Sequence, residues 1–218
     1  MGQPNAAFSR HPLVIEASDL ASTATSLEEL HLHQQRMDLS SIGITSKPVP
    51  ATSTAQASPI AILGKSPAAT EVETGSAYAG PAGQVLRTAL RQAGEDINLY
   101  HLTYATHWRP RKNNTPNATQ LAISLPFLEA EMEIIQPRKI LVLGAAATSS
   151  LLGEHPDFDD DTEIETEWCG IPTVVIRNNG YVLRNPHLAK AYAETLSRHG
   201  YHQEIRADVR AVSLQSGS

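Results

Sequence analysis

The chain has 218 residues, 41% of them apolar and 18% charged, enough to bury one ordinary α/β core with some length to spare. No run approaches the roughly 18 apolar residues that span a bilayer, and Met1-Gly2-Gln3-Pro4-Asn5 lacks the basic-then-apolar layout of a secretory signal, so a cytoplasmic protein with no membrane partner is expected. The single cysteine, Cys169, excludes an internal disulfide and an all-cysteine metal or iron–sulfur site within one chain, and its expected role is buried filler beside Trp168.

The net charge of −6 gives nucleic-acid binding no support, but it is unevenly spread. Glu154, Asp157, Asp159, Asp160, Asp161, Glu163, Glu165 and Glu167 place eight of the 23 acids within fourteen residues, and the remainder holds 17 basic residues against 15 acidic ones. DNA binding is therefore not excluded. The acidic run reads as a solvated loop, or as a segment that repels misplaced phosphates.

In chain order, Ser26-Leu27-Glu28-Glu29 has capping-box spacing and predicts a helix running to about Leu39 with Leu27, Leu30 and Met37 on one face. From Ile42 to Pro59 the composition turns to Ser, Thr, Pro and Ala, as in a linker. Pro59 to Leu63 predicts a buried parallel strand ending at Gly64. Ala82 to Ala93 predicts a helix stopped by Gly94, with Val85, Leu86, Ala89 and Leu90 on one face.

A second strand is expected around Leu99 to Thr106, then the loop Trp108-Arg109-Pro110-Arg111-Lys112-Asn113-Asn114 and a long helix from Thr115-Pro116. In that helix Leu121, Leu125, Leu128, Met132 and Ile135 share a face. Lys139 to Leu143 is the third strand with a helix over Ala145 to Leu152 behind it, Ile171 to Ile176 the fourth, and Pro186 to His199 the closing helix. Alternating strands and helices imply a three-layer α/β/α fold around a mainly parallel four-stranded sheet. Residues 1–58 are expected to pack on the core as a helix and linker, 59–205 to form the main domain, and 206–218 to be a polar tail.

Three blocks carry a resemblance. Gly64-Lys65-Ser66-Pro67-Ala68 continues to Gly75-Ser76-Ala77-Tyr78-Ala79-Gly80-Pro81-Ala82-Gly83-Gln84. Arg109-Pro110, Asn113 and Thr115-Pro116 lead into Pro126-Phe127-Leu128-Glu129-Ala130 and Lys139 to Gly144. Tyr181-Val182-Leu183-Arg184-Asn185-Pro186 closes the set. In this order and spacing, over about residues 58 to 200, they resemble the uracil-DNA glycosylase superfamily, most closely its iron–sulfur-containing family 4 branch.

The resemblance implies a DNA glycosylase, and its departures modify that expectation. Two family cluster cysteines fall on Trp108 and Ser124, so no iron–sulfur cluster or other cofactor is expected, and Trp108 is read as apolar filler. The family asparagine that reads the uracil edge falls on Tyr104, the histidine that steadies the departing base falls on Asn178, and the acid second in the opening motif becomes Lys65. A pocket so altered is expected to take a base other than plain uracil.

Glycosidic cleavage passes through an oxocarbenium-like sugar, so a catalyst must stabilise that cation and the leaving base and must place a water. The base must also leave the stack. The expected base-binding set is Gly64, Lys65, Ser66, Pro67, Ala68, Tyr78 and Tyr104, with Tyr78 read as a stacking platform or as a core tyrosine. A phenol at 104 cannot offer the paired donor and acceptor of a carboxamide.

Glu71 and Glu73 are the candidates for placing water, and Asn178 for donating to the leaving base, though Asn178-Asn179-Gly180 also reads as a turn. Lys65 could hold a phosphate, pair with Glu71 or Glu73, or contact the base; attack of its free amine on the sugar needs a depressed pKa. Arg109, Arg111, Lys112, Arg177, Asn179, Tyr181 and Arg184 are the expected DNA contacts, Tyr181, Val182 and Leu183 supplying apolar wedges or, for Val182 or Leu183, core packing. His107 is expected at the surface.

The leading expectation is a monomeric, monofunctional glycosylase that hydrolyses a modified or damaged pyrimidine from DNA, for example the hydroxymethylated or glucosylated cytosine of phage DNA in an antiphage role. A non-catalytic, glycosylase-like DNA-binding protein is the alternative. A nucleotide-processing enzyme ranks last, since no phosphate-binding or dinucleotide loop is present.

Overall fold

A computed structural model describes residues 8–53, 58–153 and 163–203. Its centre is a five-stranded sheet in the order β2-β1-β3-β5-β4. The strands are β1 (Ile60–Gly64), β2 (His101–Tyr104), β3 (Lys139–Leu143), β4 (Ile164–Trp168) and β5 (Ile171–Ile176). β1 pairs in parallel with β2 and β3, and β3 with β5, while β4 runs antiparallel to β5.

Successive residues of a strand face opposite sides, so β1 feeds two cores. Ile60 and Ile62 pack with Leu141, Leu143, Val174 and Ile176 under α4 (Pro81–Gln92) and α8 (Ala189–His199), which contribute Leu86, Leu90, Tyr192 and Leu196. Ala61 and Leu63 pack on the other side with Leu128 and Met132 of α5 (Ala118–Ile135) and Ala147 and Leu151 of α6 (Ala145–Leu152). The three-layer α/β/α expectation holds, with one strand more than expected at the β5 edge.

That extra strand comes from the acidic run. Along β4, Ile164 and Thr166 are half-buried and Trp168 is buried, while Glu165 and Glu167 are exposed. Just before it, Glu163 takes hydrogen bonds from His199, Arg198 and Thr195 of α8. The part of the run from 164 to 167 is thus in an edge strand rather than a loop; all of the run before Glu163 lies outside the described residues. Cys169 is exposed in the turn between β4 and β5 and does not fill the core.

A third apolar cluster includes Trp108, in the connection after β2. α1 (Pro12–Thr23) and α2 (Leu27–Arg36) lay Val14, Ala17, Ala21 and Leu30 against Ile123 and Phe127 of α5 and against Trp108. Ser26 caps α2 as its spacing foretold, but the helix stops at Arg36, and α1 had no sequence expectation. The linker also has structure: Thr52 exchanges two backbone hydrogen bonds with Leu102, and Val49 donates to the carbonyl of His107. It therefore covers the outer edge of β2.

Candidate active site

In parallel α/β sheets, ligands bind beyond the carboxyl ends of strands where the chain order reverses, here between β1 and β3. The opening motif leaves the end of β1 at Gly64, opposite Tyr104 in the register. Residues Ala69–Thr74 form a short helix, α3. The chain then reaches Tyr78 and enters α4 at Pro81.

Tyr78 and Tyr104 are both buried, 3% and 4% exposed, with rings stacked at 4.8 Å between centroids and 18° between planes. The Tyr78 N–H donates to the Tyr104 hydroxyl at 2.7 Å, and the Tyr78 hydroxyl donates to the carbonyl of Thr103 at 3.2 Å. Burial, reinforced by the neighbouring phenol, raises the Tyr78 pKa well above its ordinary value, and burial likewise raises that of Tyr104, so both stay protonated. Tyr78 holds a left-handed backbone at φ 55°, which costs a non-glycine residue of the order of 1 kcal/mol.

Two glycines make room for this pair. A Cβ on Gly64 would lie 2.6 Å from the Tyr78 hydroxyl, and one on Gly83 would lie 1.8 Å from the Tyr78 carbonyl oxygen. The open aromatic platform expected at Tyr78 is thus covered by Tyr104, because a phenol is long enough to reach across from the end of β2.

Glu71 is buried beneath the loop. Its carboxylate accepts the N–H of Ala68 at 3.1 Å and of Gly80 at 2.8 Å, joining the start of α3 to the start of α4. Glu73 is exposed on α3. Ser66 and Ala68 are half-buried and Pro67 is buried in the connection between β1 and α3.

Lys65 is half-buried, and its ammonium donates to the carbonyl of Asn113 at 3.3 Å. Burial lowers its pKa from the ordinary value. Asn113 also accepts from Arg109 Nε at 2.7 Å, and Lys112 and Asn113 both have left-handed backbones, with φ 56° and 59°. The loop therefore holds Arg109 against its own turn and leaves Arg111 and Lys112 exposed.

At the end of β5, Asn178 caps the short helix α7 (Asn179–Arg184): its Oδ1 accepts from the N–H of Tyr181 at 3.1 Å and its Nδ2 donates to the Leu143 carbonyl at 3.0 Å. The amide expected to face a leaving base is committed at both ends to the protein, and Asn178-Asn179-Gly180 is a helix start rather than a turn. Asn179 is buried and donates to the Ala82 carbonyl at 2.9 Å, fixing α7 on α4 rather than facing solvent. Arg177, buried, sits over the Tyr181 ring at 5.9 Å. Leu183 and Arg184 are exposed, and Val182 is core.

A cavity of about 760 Å³ opens beside this region along α4, lined by Ala79, Gly80, Val85, Val182, Leu183 and Pro186 among others. Neither ring of the stacked pair lines it.

Sequence reasoning missed one polar cluster. His101 and His107, both buried, meet the buried carboxylate of Glu131 at 2.5 and 2.8 Å. Burial alone would raise the Glu131 pKa, but the two imidazoles bring it down to about 2. The available signal was Glu131 standing between Leu128 and Ile135 on the apolar stripe of α5. His107 is accordingly interior, not on the surface.

Trp108 is 2% exposed and meets Phe127 edge-on at 5.9 Å, and Ser124 is buried with its hydroxyl 2.7 Å from that of Thr106. An indole and a hydroxyl in apolar packing do not fit an iron–sulfur group, and the one thiol is at the opposite edge of the sheet. Among the described residues no group of three His, Cys, Asp or Glu side chains is arranged to hold a metal ion. No described helix is long and apolar enough to cross a membrane.

Residues 51–208 match the family model described as the uracil DNA glycosylase superfamily. The chain is 34% identical over 151 residues to the type-4 uracil-DNA glycosylase of Pyrobaculum aerophilum, covering 63% of this chain and 74% of that protein. It is 32% identical to the type-4 uracil-DNA glycosylase of Thermotoga maritima (58% and 67% covered) and 26% identical to that of Sulfurisphaera tokodaii (64% and 67% covered).

Proposed function

Given that this chain belongs to the uracil DNA glycosylase superfamily, a family of DNA glycosylases, we propose that it extrudes a modified or damaged pyrimidine, other than plain uracil, from DNA and hydrolyses its N-glycosidic bond to leave an abasic site. The observation that carries this reading is the Tyr104 ring stacked on Tyr78. A phenol there has one O–H donor and no carboxamide edge with which to pair a uracil, and it covers the face on which a base would stack. Relatives named for uracil share the frame, so the change falls on what the frame holds.

In this reading Gly64 to Ala68, Tyr78 and Tyr104 bound the base. The exposed Arg111, Lys112 and Arg184, with Arg109, Arg177, Asn179 and Tyr181 behind them, form the side that meets the DNA backbone. Glu71 retains acceptor capacity after its two N–H partners, because a carboxylate has about four lone-pair sites, and is the first candidate to place the water; Glu73 is the second. With Asn178 held as a cap, the leaving base must be a better leaving group than uracil or find another donor. Hydroxymethylated or glucosylated cytosines, as in phage DNA, are the first substrates to try, and deaminated purines the next.

The commitment of Asn178 at both ends favours a second reading, a glycosylase-like protein that binds DNA without cutting the glycosidic bond. Mass spectrometry of free bases released from plain, damaged and phage-modified DNA separates the two. Release of a modified pyrimidine without uracil is expected; binding with no released base selects the second reading, and efficient release of uracil overturns the first.

A further inference from the structure

Lys65 stands in the opening motif, at the carboxyl end of β1. It follows Gly64 directly, and the Gly64 Cα backs onto the hydroxyl of Tyr78, so the amine rises from the strand end that frames the site. Its one hydrogen bond among the described residues is to a neutral carbonyl, that of Asn113 at 3.3 Å. Glu71, the buried acid of the same loop, uses its two oxygens on the N–H groups of Ala68 and Gly80. Among the described residues the ammonium thus has no hydrogen-bonded carboxylate, and the group it meets is the Asn113 carbonyl of the Arg109–Asn113 turn. Burial shifts the balance toward the neutral amine in the same direction.

Resting on the glycosylase reading for its substrate, we infer that Lys65 is a nucleophile toward the abasic sugar, giving the protein a strand-nicking lyase activity beyond base hydrolysis. The neutral Nζ adds to C1′ of the ring-opened deoxyribose aldehyde, and uptake of one proton from solvent with loss of one water leaves a protonated imine. A proton then leaves C2′ for solvent, the C3′–O bond breaks, and the 3′ phosphate departs carrying the electron pair, so the downstream strand begins with a 5′ phosphate. Water hydrolyses the conjugated imine, restoring Lys65 and leaving an unsaturated aldehyde on the upstream 3′ end. No oxidant, metal or second reactant is needed.

The test uses the full chain and duplex or single-stranded DNA carrying a preformed abasic site, which removes any dependence on base identity. Incubation with borohydride is expected to trap a covalent protein–DNA adduct, mapped by peptide mass spectrometry to Lys65, and without borohydride to nick the strand. Lys65→Arg keeps a positive charge but has no amine that can form an imine, and it is expected to lose the adduct, with its binding of the abasic DNA measured alongside so that lost trapping is told apart from lost binding. Lys65→Ala is expected to lose the adduct as well. Absence of an adduct with wild type, an adduct mapped to Lys112 or another amine, or undiminished trapping by Lys65→Arg overturns the inference. Base release is measured separately, so trapping can fail while the glycosylase reading stands, and a preformed abasic site can be trapped by a protein that releases no base.

Discussion

The hydroxyl of Tyr104 accepts the backbone N–H of Tyr78 at 2.7 Å while the two rings stack, so one side chain both closes the face of its neighbour and holds that neighbour's strained backbone. Tyr104→Phe keeps the stack but leaves the Tyr78 N–H buried without an acceptor, at an expected cost of about 1–3 kcal/mol in chemical unfolding. Tyr104→Asn shortens the side chain, uncovers Tyr78 and restores a carboxamide. Its expected outcome is a gain of uracil release from uracil-containing DNA, scored against wild type; a Tyr104→Asn protein that folds and gains nothing would remove Tyr104 as the specificity element.

Glu71 is expected to matter to stability before chemistry. Glu71→Ala leaves the N–H groups of Ala68 and Gly80 without their charged acceptor, each such bond contributing about 1.5–3 kcal/mol. A melt of the variant should therefore fall by several degrees, with faster hydrogen exchange at both amides. Full base release by a folded Glu71→Ala protein would transfer the water-placing role to Glu73.

The His101–Glu131–His107 cluster sets an acid limit. Glu131 has its pKa held near 2 in the folded chain against an ordinary value of 4.5, so its contribution is fully present above about pH 4.5 and is lost as the pH falls from there toward 2. Stability measured over that window should drop, and Glu131→Gln should flatten the drop while destabilising the protein at neutral pH by about 3–5 kcal/mol, because two buried imidazoles lose their charged partner.

Trp108 anchors the N-terminal helices. Trp108→Ala should cost about 3–5 kcal/mol and raise protease sensitivity in α1 and α2, since the indole is the shared contact between their apolar faces and Phe127. Trp108→Cys with Ser124→Cys should not gain the ultraviolet–visible absorbance of a cluster after reconstitution, as only two thiols would stand there and the third, Cys169, lies at the opposite edge of the sheet.

Arg111 and Lys112, the exposed pair on the turn, are expected to act through phosphates. Replacing both by Ala should weaken binding to all DNA sequences alike and reduce the slope of log K against log salt by about 0.9 per lost contact on duplex DNA.

Much of the frame was legible because it depends on local pattern. The run before Gly64, the 3.6-residue periodicity of α4 and the apolar strands β3 and β5 all appear where spacing places them. β4 was not, although Ile164-Glu165-Thr166-Glu167-Trp168 alternates, because its two acids, set in a longer acidic run, outweighed the alternation. The site followed the same division. Positions 64, 78 and 104 could be named from the family resemblance, but the stacking of residues 78 and 104 depends on the Gly64–Tyr104 register, a long-range fact. The commitments of Asn178 and Asn179 to Leu143 and Ala82 were hidden for the same reason. His101 and His107 carry no periodic signal at all, and only Glu131, misplaced on an apolar stripe, pointed inward.

Both margins of the sheet are guarded, by different means. The linker residue Thr52 takes up the outer hydrogen-bonding groups of β2 at Leu102, and at the far side β4 sets Glu165 and Glu167 outward along the last strand. A strand from another chain would meet an occupied backbone at one margin and like charges from its own copy at the other. The acidity that first looked like an obstacle to meeting DNA thus has a separate use: it discourages sheet-to-sheet stacking of the protein with itself, at the edge farthest from the Arg109–Asn113 turn.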